Sequence, residues 1–136
     1  MSDSPIATGG CLCGGVRYEV RGPLRDAIAC HCSQCRRTSG NFVTATNVRN
    51  EDLRLVAAET LTWYRSSEDA ERGFCSRCGG NLFWRHTTPG TERTAIAAGT
   101  ITPPTGLRIA CHIFVGSKSD YYSIGDGAPQ HAEWPQ

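Results

Sequence analysis

A chain of 136 residues is the size of one folding unit, with no length to spare for a second independent core. Lys plus Arg number 14 against 13 Asp plus Glu, and that balance excludes the strong basic field that holds nucleic acid or an anionic membrane surface. No apolar run approaches the roughly 20 residues that cross a bilayer, and Met1-Ser2-Asp3-Ser4-Pro5 lacks the basic and apolar regions of an export signal, so the expected location is the cytoplasm.

Taken in chain order, short apolar or alternating runs are cut by Gly, Pro, Asn and Ser. They predict a mainly β fold in a single domain over 1–136, with its core at about 7–123. Strands are predicted at Val16 to Val20, Ala27 to Ala29, Phe42 to Asn47, Leu61 to Tyr64, Arg72 to Phe74, Asn81 to Trp84, Thr94 to Ala97 and Ile109 to Val115. A helical turn is predicted from Ser33 to Thr38 and another around Glu51 to Leu53. Thr100 to Gly106 carries Pro103-Pro104 and reads as a surface connection, because proline has no N–H for a ladder. The stretch after Ser123 reads as loop. Trp63, Tyr64, Phe83 and Trp84 stand at strand spacing, and are assigned to the core rather than to a base-stacking platform.

Cysteine usage is the outlying feature: Cys11, Cys13, Cys30, Cys32, Cys35, Cys75, Cys78 and Cys111. In a reducing compartment such clusters bind metal more often than they form disulfides. Cys11 and Cys13, like Cys30 and Cys32, are also too close in sequence for an unstrained bridge to each other. Cys11-Leu12-Cys13-Gly14-Gly15 and Cys75-Ser76-Arg77-Cys78-Gly79-Gly80 both end a close cysteine pair with two glycines. A zinc knuckle turns the backbone so that amide hydrogens point at the sulfurs, and glycine reaches the positive φ this needs without a Cβ clash. Two knuckles supply four thiolates, the closed tetrahedral set of a structural zinc.

The middle cluster, Cys30-His31-Cys32-Ser33-Gln34-Cys35-Arg36-Arg37, has three cysteines and no following glycine pair. Three thiolates leave a tetrahedral zinc one open position, at which an incoming thiol is deprotonated and becomes a nucleophile for a small electrophile such as an aldehyde. Arg36 and Arg37 follow at once, placed to clamp carboxylates of a substrate. Cys111, His31, His86 and His112 are the alternative fourth ligands that would close this site. His31 is also a candidate proton carrier.

The order Gly10-Cys11-Leu12-Cys13-Gly14-Gly15, Cys30-His31-Cys32-Ser33-Gln34-Cys35-Arg36-Arg37, Phe74-Cys75-Ser76-Arg77-Cys78-Gly79 and His112-Ile113-Phe114-Val115-Gly116-Ser117-Lys118 resembles the glutathione-dependent formaldehyde-activating enzyme family over nearly the whole chain. The resemblance implies a β-tent fold with two zinc ions per chain. Cys11, Cys13, Cys75 and Cys78 would hold the structural ion and Cys30, Cys32 and Cys35 the catalytic one. It implies a carbon–sulfur lyase-type enzyme that joins glutathione, as co-substrate, to formaldehyde. Its partners would be a small-molecule thiol and an aldehyde, with Arg36, Arg37 and Lys118 as candidates for the glutathione carboxylates. One departure from the family's pattern is Asp120-Tyr121-Tyr122, where a tryptophan would follow the Ser-Lys element. The competing readings are a non-catalytic binding module with both zinc sites closed, and a redox or iron–sulfur protein.

Overall fold

The computed structural model describes residues 5–135. Alternation sets its first rule: along β2 (Val16–Val20), Val16, Tyr18 and Val20 are buried while Arg17 is exposed. A strand with one apolar face must lay that face on a second layer.

The second layer is a large sheet. The smaller sheet has β2 between β1 (Ala7–Gly10) and β5 (Leu53–Ala58). The larger contains β3 (Ala27–Cys30), β4 (Val43–Arg49), β6 (Leu61–Ser67), β7 (Ala70–Cys75), β8 (Asn81–His86), β9 (Arg93–Ala97) and β10 (Ile109–Ile113). Its strand order is β10-β3-β4-β9-β8-β7-β6, and β10 with β3 is its one parallel pair. Among the described residues the only α-helix is α1 (Ser33–Ser39), closed by Gly40 at φ 82°, so the mainly β expectation holds.

The core lies where the two sheets meet. Val16, Tyr18 and Val20 pack with Val48, Leu82, Phe83, Ile96 and Ile101. The Tyr18 and Phe83 rings meet edge to face at 5.5 Å, a favourable geometry for aromatic pairs. The Tyr18 hydroxyl is hydrogen-bonded to Thr100 at 2.7 Å, and burial pushes its pKa up to about 12. Of the four aromatics assigned to the core, Phe83 is buried, Trp63 and Trp84 are half-buried, and Tyr64 is 63% exposed.

Two strands escaped the sequence reading. In β1, Gly9 and Gly10 carry no strand preference, but Gly9 lies opposite Tyr18, and a Cβ there would collide with the Tyr18 ring. In β5 the alternation is blurred because the strand pairs only with β2, and Leu55 and Val56 stay exposed. The turn expected at Glu51 to Leu53 is a 3-10 turn at Asn50–Asp52. Thr102, Pro103 and Pro104 are exposed, as expected of a surface connection.

Leu82 is 1% exposed at the centre of this contact. Leu82→Ala should lower the unfolding free energy by about 2–5 kcal/mol. Urea unfolding checks this, with a shifted midpoint and an unchanged slope expected.

Candidate metal centres

The turn after β1 carries Cys11 and Cys13, while Cys75 ends β7 and Cys78 lies in the turn that follows. The fold brings these four side chains together, with ligand atoms mutually within 4.8 Å. Sulfurs arranged tetrahedrally about 2.3 Å from a shared zinc stand about 3.8 Å apart. The Cys11–Cys13 and Cys13–Cys75 sulfur separations are 3.7 and 3.5 Å, so the donor set fits such an ion. The eight cysteines are all free of disulfides.

Local backbone explains the approach. Gly14 and Gly79 sit at φ 81° and 78°, the left-handed region that side chains avoid. The turns aim amide hydrogens at sulfur: Val16 N–H donates to Cys11 Sγ at 3.3 Å and Cys78 N–H to Cys75 Sγ at 3.4 Å. Two further side chains add to this, Thr60 from outside the motifs and Arg77 from within the second. Thr60 approaches Cys75 Sγ at 3.1 Å, and its hydroxyl, with the Cys78 amide also helping against desolvation, draws the Cys75 thiol down to about 5. Arg77 Nε donates to Cys13 Sγ at 3.3 Å. The Gly15 amide and then Arg77 hold Cys13 below the usual thiol range. A Cβ at Gly15 would collide with the Thr60 side chain.

The second cluster is local. Cys30 ends β3, Cys32 caps α1 by accepting the Cys35 N–H at 3.3 Å, and Cys35 is buried on α1. Their ligand atoms also lie within 4.8 Å of one another, and among the described residues no fourth Cys, His, Asp or Glu joins them. The Cys30 and Cys35 thiols, followed by backbone amides, hold Cys32 far below the usual thiol range, and sharing with Cys32 pushes Cys30 far above it. Cys111 stands on β10 opposite Ile28 and belongs to neither cluster.

His31 and His112 have a different assignment. Both are buried, at 1% and 3% exposure, and form a continuous chain. His112 Nε2 lies 2.8 Å from Asp126, His112 Nδ1 lies 2.9 Å from His31 Nε2, and His31 Nδ1 lies 2.6 Å from the Tyr122 hydroxyl. The Asp126 carboxylate only accepts, so His112 Nε2–H donates to it; with both imidazoles neutral, the chain then runs from Tyr122 O–H to His31 and from His31 Nε2–H to His112. Phe42 packs on the His31 ring at 4.5 Å. Sequence reasoning missed Asp126 altogether, since a lone aspartate in a glycine-rich tail carries no signal.

The candidate carboxylate binders divide. Arg36 is half-buried and Arg37 exposed on α1 beside the trio. Lys118 donates to the carbonyls of Ser119 and Tyr122 and lies 4.5 Å over the Tyr122 ring. The Tyr121 hydroxyl donates to Asn41 at 2.7 Å. The Asp120-Tyr121-Tyr122 departure thus serves as a latch between the tail and the end of α1. His86 stacks edge-on against Trp84, away from either cluster.

A family model described as glutathione-dependent formaldehyde-activating enzyme matches residues 6–117. A Halomonas elongata protein, provisionally named as such an enzyme, is 37% identical over 86 residues, covering 57% of this chain and 55% of that protein. A Schizosaccharomyces pombe protein named as an uncharacterized lyase is 25% identical over 123 residues, covering 90% of this chain and 88% of its own length. The crystal structure of a Rhodobacter sphaeroides protein superposes with a TM-score of 0.59 at 30% identity, covering 75% of this chain and 96% of that one. No helix among the described residues is long and apolar enough to cross a membrane.

The hydrogen bond from His112, followed by one from the Ala128 amide, lowers the Asp126 pKa. A carboxylate lowered in the folded state contributes stability that is whole above its unfolded pKa, about 3.9, and lost as pH falls through the folded value. Asp126→Asn should therefore be destabilised near neutrality, and the gap in urea midpoint should close as the pH drops below about 4.

Proposed function

The chain belongs to the glutathione-dependent formaldehyde-activating enzyme family, and from that premise we propose a zinc-dependent enzyme of the carbon–sulfur lyase type that joins a thiol such as glutathione to a small aldehyde such as formaldehyde. In the addition the thiol sulfur forms a bond to the aldehyde carbon, the C=O π bond opens, and the thiol's proton ends on the alcohol oxygen. The observation that carries the reading is the donor set of Cys30, Cys32 and Cys35, converging without a fourth ligand among the described residues.

Cys11, Cys13, Cys75 and Cys78 would hold a structural zinc, and Cys30, Cys32 and Cys35 a catalytic one. When bound, the second ion would supply acidity to a thiol and Lewis-acid polarisation. The chain's own residues do the rest. Burial of Cys35 and the cap at Cys32 fix the trio's backbone. Arg36 and Arg37 offer guanidinium forks to the thiol's carboxylates. The ammonium of Lys118 is already held by two carbonyls, which leaves one of its three N–H donors for a carboxylate. Eight free thiols suit the reducing cytoplasm, where we place the protein.

Zinc analysis should return two ions per chain. Calorimetric titration of glutathione should show binding with release of about one proton, and Cys35→Ser should abolish it while leaving the far-ultraviolet spectrum close to wild type. Binding unaffected by Cys35→Ser would sink the reading, as would a trio sealed by a protein ligand. Cys78→Ser is a different lesion. It breaks the cross-sheet centre and should cost at least about 5 kcal/mol, comparable with the whole stability of a domain, seen as loss of the cooperative thermal transition.

A further inference from the structure

Arg72 was expected only as a strand residue, and the structure places it at the trio. On β7 it lies opposite Tyr64 of β6 and Trp84 of β8, so it projects from the sheet face those two side chains share. Its Nη2 approaches Cys35 Sγ at 3.7 Å and Gln34 Oε1 at 3.4 Å. Its Nε is buried with no partner among the described residues. Among the described residues no other side-chain cation is hydrogen-bonded to a sulfur of the trio, although Arg36 and Arg37 adjoin it in sequence. A guanidinium keeps its proton under all ordinary conditions, so this is a fixed positive charge set against the Cys35 sulfur.

Resting on the reading of an open three-thiolate site, we infer that Arg72 is a positioning and charge-balancing residue for the incoming thiol. Three thiolates around a divalent cation carry a net charge near −1, and a fourth brings it near −2. That last step is opposed by its own charge unless a nearby cation offsets it. Arg72 supplies the offset through the N–H bond to Cys35 sulfur. The bond withdraws charge from the donor, and ties the sheet to α1 so that Cys35 cannot swing away. Arg77 stands to Cys13 in the four-cysteine centre as Arg72 stands to Cys35 here, so each sulfur cluster has one guanidinium of its own.

The effect acts on sulfur, which separates it from a carboxylate clamp. The test uses the folded protein loaded with cobalt(II) at both sites, titrated with glutathione and separately with 2-mercaptoethanol, which has no carboxylate. Arg72→Gln should still take up two cobalt ions, but its thiol-responsive sulfur-to-cobalt band should move to longer wavelength. Both thiols should bind roughly tenfold more weakly. Arg72→Lys should recover part of that loss, and carries the same comparison if the glutamine variant is too unstable to isolate. Titrations that superimpose on wild type for both thiols would overturn the inference, as would a loss confined to glutathione. If wild type binds neither thiol, the proposed function falls, while the difference between the thiol-free cobalt spectra of wild type and Arg72→Gln still reports whether Arg72 acts on the Cys35 sulfur.

Discussion

The structure depends on one meeting of turns. The β1–β2 turn belongs to the small sheet and the β7–β8 turn to the large one, yet their four sulfurs converge within 4.8 Å. Cys13 and Cys75 are 62 residues apart in sequence, so this contact closes a long loop that a domain this small would otherwise close only with side-chain packing. Much of the surrounding detail serves it. Gly14 and Gly79 let the backbone turn, the amides of Val16 and Cys78 face sulfur, and Thr60 and Arg77 stabilise negative charge there. The core pair of Tyr18 and Phe83 locks the same two sheets at another point.

The trio has the opposite character. Its three sulfurs come from six consecutive residues at the end of β3 and the first turn of α1, so its local geometry follows from one capped turn. What the rest of the fold adds is environment. Arg72 arrives from β7, Phe42 and Tyr122 cover His31, and Tyr121 pins the end of α1. A cluster that is local in sequence but distributed in its surroundings can keep its donor geometry while its environment is set from distant strands.

The sequence disclosed the pattern-bearing parts of this molecule. The two knuckles were legible because paired cysteines followed by paired glycines have a steric reason to recur, and the trio because its spacing differs from theirs. Strands with clear alternation, such as β2, were legible for the same reason. What stayed hidden had no local signature. β1 is strand because Gly9 fits beneath Tyr18, β5 because β2 offers it an edge. Arg72 looked like any strand arginine, and nothing near Asp126 announced that it faces His112 across 14 residues. Lys118 was singled out as a substrate contact from its motif, and its engagement with the carbonyls of Ser119 and Tyr122 emerges only from the path of the tail.

That path has an evolutionary corollary. The family match ends at residue 117, so His31 and His112 lie inside the shared region and their partners Tyr122 and Asp126 lie beyond it. Both imidazoles are sealed from water, and each relies on the appendage to complete its valences. Loss of Tyr122 or Asp126 would therefore leave a buried imidazole short of one partner. A chimera that exchanged tails between relatives would inherit two buried rings bonded only to each other unless the donor tail brought equivalent groups to the same places.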